Sequence, residues 1–396
     1  MYLTSKVQKI EESPTLAISS KATQMKNQGL DIVGLGAGEP DFETPDHIKE
    51  AAIEAIEAGF TNYTTTSGIL ELKEAICDKL KRENGLEYSP EEIIVSSGAK
   101  HSLYNTLQAI CGGGDEIIVP TPYWVSYPQQ IKLAGGEAAI VETEEENGFK
   151  LKPEDLRAGI TDKTRGVILN SPSNPTGAVY TEDELTEIAE IAVENGIYII
   201  ADEIYEKIYY DEKPVSIASL GKEVRDLTIL INGVSKAYSM TGWRIGYAAA
   251  DSRIVSAMSK LQSHSTSNPN SIAQKASIAA LEGSQDPVDK MVAAFEERRN
   301  YIVNRINRIN GLSAQNPKGA FYLFVNGTEL IGSTVADEEI TDDYKLADVL
   351  LTETRVAVVP GSAFGAPGYL RLSYAASLSE LTKALDRIED LLGIEA

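Results

Sequence analysis

Leu227-Thr228-Ile229-Leu230-Ile231-Asn232-Gly233-Val234-Ser235-Lys236, continuing to Thr241-Gly242-Trp243-Arg244-Ile245-Gly246, is an apolar run that opens into polar chemistry. A short continuous apolar run of this kind reads as a strand buried on both faces. Glu116-Ile117-Ile118-Val119, Gly166-Val167-Ile168-Leu169 and Ile197-Tyr198-Ile199-Ile200-Ala201 have the same form. Helical patterns alternate with them. The capping signature Thr181-x-x-Glu184 opens one, with Leu185, Ile188, Ala189 and Ala192 on its inner stripe and Gly196 at its end. Thr44 is expected to cap another with Pro45 in first position, its apolar face being Ile48, Ala51, Ala52 and Ala55 as far as Gly59. Buried strands alternating with helices predict an α/β fold with a mostly parallel, helix-covered sheet. In such sheets ligands bind beyond the carboxyl ends of the strands. Polar residues collect there: Asn170 to Gly177, Asp202 to Tyr205 and Gly233 to Lys236 each follow an apolar run.

Lys236 and Arg244 place a primary amine and a guanidinium in a segment with little other charge. An arginine beside a hydroxyl suits a phosphate dianion, because its planar fork donates two parallel charge-assisted hydrogen bonds. A lysine desolvated near a bound phosphate suits Schiff-base chemistry with an aldehyde. Pyridoxal 5′-phosphate carries both groups. Taken alone, such a pair is more often a solvated lysine and a salt-bridged arginine, so other segments have to decide.

At 396 residues the chain fits one large domain plus a smaller one. The last ~110 residues change character, with a long charged helix around Phe295 to Ile309 and then shorter strands. The expected division is an N-terminal segment, 1–45, that joins the small domain, a large domain over 46–284 and a small C-terminal domain over 285–396. No apolar run approaches the ~20 residues needed to span a membrane, and the polar start lacks an apolar signal core, which predicts a cytoplasmic protein. The formal charge of −23 opposes binding to nucleic acid or anionic membrane. Cys77 and Cys111 form no closely spaced ligand pattern, and His47, His101 and His264 lack metalloenzyme spacing, so no metal site is expected. Gly34-Leu35-Gly36-Ala37-Gly38-Glu39 resembles a dinucleotide fingerprint only superficially. Glu39 stands where the third glycine belongs, and Pro40 and Pro45 interrupt the helix that would receive a pyrophosphate.

Seven segments in order decide the matter: Gly36-Ala37-Gly38-Glu39-Pro40-Asp41-Phe42, Ser97-Gly98-Ala99-Lys100, Pro122-Tyr123-Trp124-Val125-Ser126-Tyr127-Pro128, Asn174-Pro175-Thr176-Gly177, Asp202-Glu203-Ile204-Tyr205, Ser235-Lys236 with Gly242-Trp243-Arg244, and Arg371-Leu372-Ser373-Tyr374. Across nearly its whole length the chain resembles the pyridoxal-phosphate-dependent class I aminotransferases, and within them the aspartate aminotransferase branch typical of bacteria. The resemblance implies the type I fold of pyridoxal-phosphate-dependent transferases: a large domain with a mostly parallel helix-covered sheet and a smaller α/β domain.

It also implies roles. Lys236 would hold the coenzyme covalently, release it to the substrate amino group and then move a proton at the alpha carbon. Asp202 would pair with the pyridine nitrogen and keep it protonated. Asn174 and Tyr205 would hydrogen-bond the phenolic oxygen, Asn174 touching the substrate carboxylate as well, and Trp124 would stack on the ring. Backbone amides at Gly98, Ala99 and Lys100, with Ser235 and Arg244, would bind the phosphate. Tyr63 matches a tyrosine that reaches the phosphate of the neighbouring subunit, which implies a homodimer with composite active sites. Arg371, close to the backbone of Gly38, would clamp the substrate alpha-carboxylate. The animal-type branch binds the distal carboxylate with a partner-chain arginine. The matching region, Gln262 to Pro269, contains none, so Lys100 would replace it, with Thr15 near the substrate.

The reaction so implied moves an amino group between L-aspartate and 2-oxoglutarate by a ping-pong mechanism. Prephenate, aromatic or neutral substrates stand as alternatives, as do a pyridoxal-phosphate-dependent decarboxylase or lyase. A coenzyme-binding transcription regulator on the same fold would need a basic DNA-binding domain ahead of it, and here the fold begins almost at Met1.

Overall fold

The computed structural model describes residues 4–8, 10 and 14–394. Its centre is a seven-stranded sheet: β1 Ile93–Ser96, β2 Glu116–Pro120, β3 Glu137–Val141, β4 Thr164–Asn170, β5 Tyr198–Asp202, β6 Thr228–Gly233 and β7 Gly246–Ala249, in the spatial order β1-β7-β6-β5-β4-β2-β3. β2 to β6 are parallel, while β7 runs antiparallel to both its neighbours. The four apolar runs of the sequence are β2, β4, β5 and β6, four adjacent strands in the middle of the sheet. They read clearly because both faces are covered. Val167, Leu169, Ile199, Ala201 and Leu230 pack into one core, and Ile168, Ile200, Ile229 and Ile231 into the core on the opposite face. β3 escapes the same reading because it is an edge strand, with Ile140 exposed.

The helix after Thr181, α4 (Glu182–Asn195), has its capping box in place, and Gly196 ends it in the left-handed region at φ 62°. The Thr44 cap differs from expectation. Helix α1 (Asp46–Glu57) begins after Pro45, which occupies the cap position with no side-chain hydrogen bond. Thr44 Oγ1 instead donates to the Ser239 carbonyl at 2.7 Å and accepts from Trp243 Nε1 at 3.0 Å. Its hydroxyl thus ties the start of α1 to the segment after Lys236. No helix follows the short strand Val33–Gly34 before α1, so the glycines from 34 to 38 do not form a dinucleotide turn.

A second, antiparallel sheet is formed by β8 Ser313–Ala314, β9 Tyr322–Asn326, β10 Val359–Pro360 and β11 Tyr369–Ser373, ordered β10-β11-β9-β8. Its core also takes Val33 and Leu35 from the N-terminal side. The long charged helix, α5 (Asp286–Ile306), starts earlier than its charge pattern suggests, with Pro287 in its first turn. It stops before Ile309 because Asn307 turns its side chain onto the backbone of Ala314, accepting from its N–H at 2.8 Å and donating to its carbonyl at 3.0 Å. The buried stripe of α5 begins at Val288 in the core of the large sheet and continues through Met291, Phe295, Ile302 and Ile306 in the second core. One helix therefore spans both packing units. Among the described residues no helix is long and apolar enough to cross a membrane.

Candidate active site

β4, β5 and β6 end side by side, and their last residues deliver Asn170, Asp202 and, just beyond Gly233, Ser235 and Lys236 to one cavity of about 560 Å³. Gly38, Ala99, Lys100, Trp124, Asn174, Tyr205, Arg244 and Arg371 reach the same cavity. Residues from seven separate stretches of chain thus meet at the carboxyl edge of the sheet. Of the other sequence-derived site residues, Gly98 stands just outside the lining, before Ala99, and Tyr63 does not join it. Tyr63 is 91% exposed and lies outside the cavity of its own chain. The side chain of Thr15 lies outside the described residues.

One end of the cavity is built for an anion. Helix α2 (Ala99–Ile110) points its amino terminus there, with Gly98 as cap at φ 92°. The backbone angle of Gly98 favours glycine, and a Cβ there would push the Arg244 guanidinium from its place. Arg244 is itself left-handed at φ 59° and is held by hydrogen bonds to the carbonyls of Thr241 (2.7 Å) and Ser97 (3.4 Å). A strained non-glycine backbone of this sort persists only where its surroundings hold it.

At the floor, Asp202 is buried, and burial pushes its carboxyl up to about 6. Two donors oppose that rise. The Tyr127 hydroxyl donates to Asp202 Oδ2 at 2.7 Å, and the Ile204 N–H reaches Oδ1 at 3.4 Å. Tyr127 lies on helix α3 (Ser126–Ala134), edge-on to Trp124. Sequence reading gave it no role, since its partner is 75 residues away. The only hint was chemical: a buried tyrosine hydroxyl needs a partner. Tyr127→Phe is expected to raise the Asp202 pKa further, by about 1 to 2 pH units for one lost hydrogen bond to a charged group. Carboxyl-carbon NMR titration of the coenzyme-free protein reads this directly, and an unchanged midpoint would refute it.

The lysine at the centre, Lys236, donates from Nζ to the Gly38 carbonyl at 2.6 Å. Burial lowers its ammonium pKa to about 8; the carboxylates of Glu39 and Asp202 oppose the shift, while Arg244 and Arg371 add to it. Arg371, on β11, is 3% exposed and has no acidic hydrogen-bond partner among the described residues: Nη1 donates to Asn174 Oδ1 at 2.9 Å and Nη2 to the Gly36 carbonyl at 2.8 Å. The Gly36 carbonyl is thus the backbone hydrogen-bond partner of Arg371. The neighbouring Leu35 is pinned between Ala357 and Ser373 by backbone hydrogen bonds, which brings the Gly36 carbonyl to the guanidinium, while Gly38 reaches Lys236 instead. The Arg371 guanidinium also lies over the ring of Tyr322 at 4.5 Å. Tyr322 was not singled out by sequence either, yet its hydroxyl pairs with that of Tyr205 at 2.8 Å. At the cavity mouth, the Lys100 ammonium stands 4.7 Å from the Trp124 ring centroid, and burial, then the charge of Arg244, lowers its pKa.

A lysine held partly neutral and a buried aspartate at the ends of the parallel strands, met by a buried arginine from the second sheet, fit an amino-group transferase. The chain belongs to the class I and II aminotransferases, whose family model matches residues 30–388. It is 51% identical to the aspartate aminotransferase of Geobacillus stearothermophilus over the full length of both chains. It is 47% identical to the aspartate/prephenate aminotransferase of Cereibacter sphaeroides, covering 98% of each. The solved structure of the aspartate aminotransferase of Thermus thermophilus with maleate superposes with a TM-score of 0.93 at 44% identity, covering 98% of this chain and 99% of that one.

Proposed function

We propose that the protein is a pyridoxal-phosphate-dependent aspartate aminotransferase that works as a cytoplasmic homodimer and moves the amino group of L-aspartate to 2-oxoglutarate in a ping-pong cycle. The observation that carries this reading is the pair of cations, buried Arg371 and the more exposed Lys100, that line the same cavity as the Lys236 amine. A dicarboxylic substrate needs both. The relatives named for aspartate and the neighbour with maleate, itself a dicarboxylate, support the same choice.

The cavity fits the coenzyme. Arg244, Ser235 and the first amides of α2 suit its phosphate, and the flat indole of Trp124 suits its ring. Asp202 is buried with only a hydroxyl and an amide as donors, and it suits a protonated ring nitrogen. When bound, pyridoxal phosphate supplies an aldehyde that condenses with amines and a protonated ring that takes up electrons from the substrate alpha carbon. The protein does the rest. Asp202 would keep the proton on the ring nitrogen, with Tyr127 favouring the anionic form of Asp202. Tyr205 and Asn174 would hold the phenolic oxygen. Arg371, with Asn174, clamps the alpha-carboxylate and so fixes which alpha-carbon bond faces Lys236. Lys236, with its amine near neutrality, takes the proton from that carbon and returns it on the other side of the transfer. Gly38 would add a backbone contact to the substrate and Thr15 a side-chain one, and Tyr63 would complete the phosphate site of the partner subunit. In this reading residues 1–45 and 285–396 make a small domain that moves against the large domain, 46–284, with α5 as the connection.

Prephenate is a second reading for the amino acceptor, supported by the aspartate/prephenate relative. A panel of donors and oxo acids separates the two. Lys100→Ala tests the basis of both: one lost charge-assisted hydrogen bond costs about 1.5 to 3 kcal/mol. The kcat/KM for aspartate is therefore expected to fall roughly ten- to hundredfold, while alanine and phenylalanine as donors lose much less. Equal losses for charged and neutral donors would show that Lys100 serves the coenzyme.

A further inference from the structure

Tyr322 sits between two groups that the proposed mechanism uses separately. Its hydroxyl is 2.8 Å from that of Tyr205, and its ring face carries the Arg371 guanidinium at 4.5 Å. It is fully buried at the start of β9, paired in register with Ser373, two residues from Arg371 on β11. The position is rigid. Tyr322 also packs edge-on to Tyr205 and tilted against Phe321, and a Cβ on Gly38 would already sit 3.3 Å from its hydroxyl.

Two buried hydroxyls facing each other have one hydrogen between them. Resting on the assignment of Tyr205 to the phenolic oxygen of the coenzyme, the direction of that bond is settled by need: Tyr205 spends its own hydrogen on the coenzyme and accepts from Tyr322. We propose that Tyr322 is a positioning residue, whose hydroxyl orients and polarises Tyr205 towards the coenzyme and whose ring supports Arg371. A hydroxyl that accepts a hydrogen bond becomes a better donor, since bonds in a chain polarise one another at low dielectric. The charge of Arg371 strengthens the first donor, and it does draw the Tyr322 hydroxyl towards greater acidity against the dominant effect of burial. The carboxylate clamp and the phenolic oxygen are thereby linked through one side chain.

The test uses the coenzyme-loaded enzyme and four variants: Tyr322→Phe, Tyr322→Leu, Tyr205→Phe and the double variant Tyr322→Phe/Tyr205→Phe. The first readout is the pH midpoint of the visible absorbance of the bound coenzyme. Tyr322→Phe keeps the ring and loses the donor, so the midpoint is expected to rise by about 0.5 to 1 pH unit, with maleate affinity changed less than about twofold because the Arg371 stack survives. In the Tyr205→Phe background the same substitution is expected to add nothing, because the relay has lost its second member. Tyr322→Leu, which removes the ring too, is expected to weaken maleate binding as well. A parental midpoint in Tyr322→Phe overturns the proposal, and so does an equal shift with and without Tyr205. If Tyr205→Phe itself leaves the midpoint unmoved, the assignment of Tyr205 fails and this inference falls with it; if only Tyr322→Phe is silent, the assignment stands and the inference alone is wrong.

Discussion

Lys236→Ala is expected to lower transamination turnover by about 10²- to 10⁴-fold for the lost general base alone, in a protein that remains folded. The amine makes one described hydrogen bond, to the Gly38 carbonyl, and lines the cavity without bracing a core. Its loss therefore removes chemistry and little packing. Borohydride reduction of the loaded parent should place the coenzyme on the peptide that contains Lys236, and a label on another lysine would sink the assignment. The same burial sets a pH dependence. A folded-state pKa of about 8 means that the amine is mostly protonated at pH 7, without a free electron pair, and mostly neutral at pH 9. Capture of added coenzyme by the coenzyme-free protein should accelerate about fivefold from pH 7 to 8 and less than about twofold from pH 8 to 9. A profile that climbs steadily towards pH 10 would mean an ordinary, solvated lysine.

What the sequence disclosed of this site follows from which signals are local. β4, β5 and β6 are legible because burial on both faces leaves uninterrupted apolar runs, and the rule that ligands gather at strand ends then places Asp202 and Lys236 together. Gly98 is legible as part of a motif, though its reason, contact with a guanidinium 146 positions later in the chain, is purely tertiary. Tyr127 and Tyr322 have no such signal. Each is an aromatic residue whose neighbours predict burial, and only the fold brings its hydroxyl to Asp202 or Tyr205. The hydrogen bond of Arg371 to the Gly36 carbonyl has no local signal either, because the register between Leu35, Ala357 and Ser373 is what brings that carbonyl to the guanidinium. The Thr44 cap failed for the opposite reason: a strong local preference yielded to two tertiary hydrogen bonds, with Ser239 and Trp243.

Arg371→Leu is expected to lower kcat/KM for aspartate by roughly 30- to 5,000-fold, the range for removing one partner of a buried, hydrogen-bonded charge pair. Most of the loss should appear in KM and in the affinity for maleate. The argument turns on what surrounds the arginine before substrate arrives. Its guanidinium is buried among Asn174, the Gly36 carbonyl and the rings of Tyr322 and Phe364, none of them a charge, and its Nε has no hydrogen-bond partner among the described residues. A buried cation without a counter-charge is destabilising to the folded protein, and burial accordingly lowers the Arg371 pKa. A carboxylate arriving from solution supplies the missing charge. An arginine kept for stability would behave differently, since its replacement would cost thermal stability and activity together. Here the expected outcome is a melting temperature of the coenzyme-free protein that is unchanged or raised, because the freed Asn174 and Gly36 oxygens lose less than the removed charge had cost. Arg371→Lys retains the charge but not the planar fork, so it should recover part of the affinity and less of the turnover, the alpha-carboxylate being held at one point instead of two. If Arg371→Leu melts several degrees lower while binding maleate as the parent does, the arginine is structural, and the substrate carboxylate must be held elsewhere in the cavity.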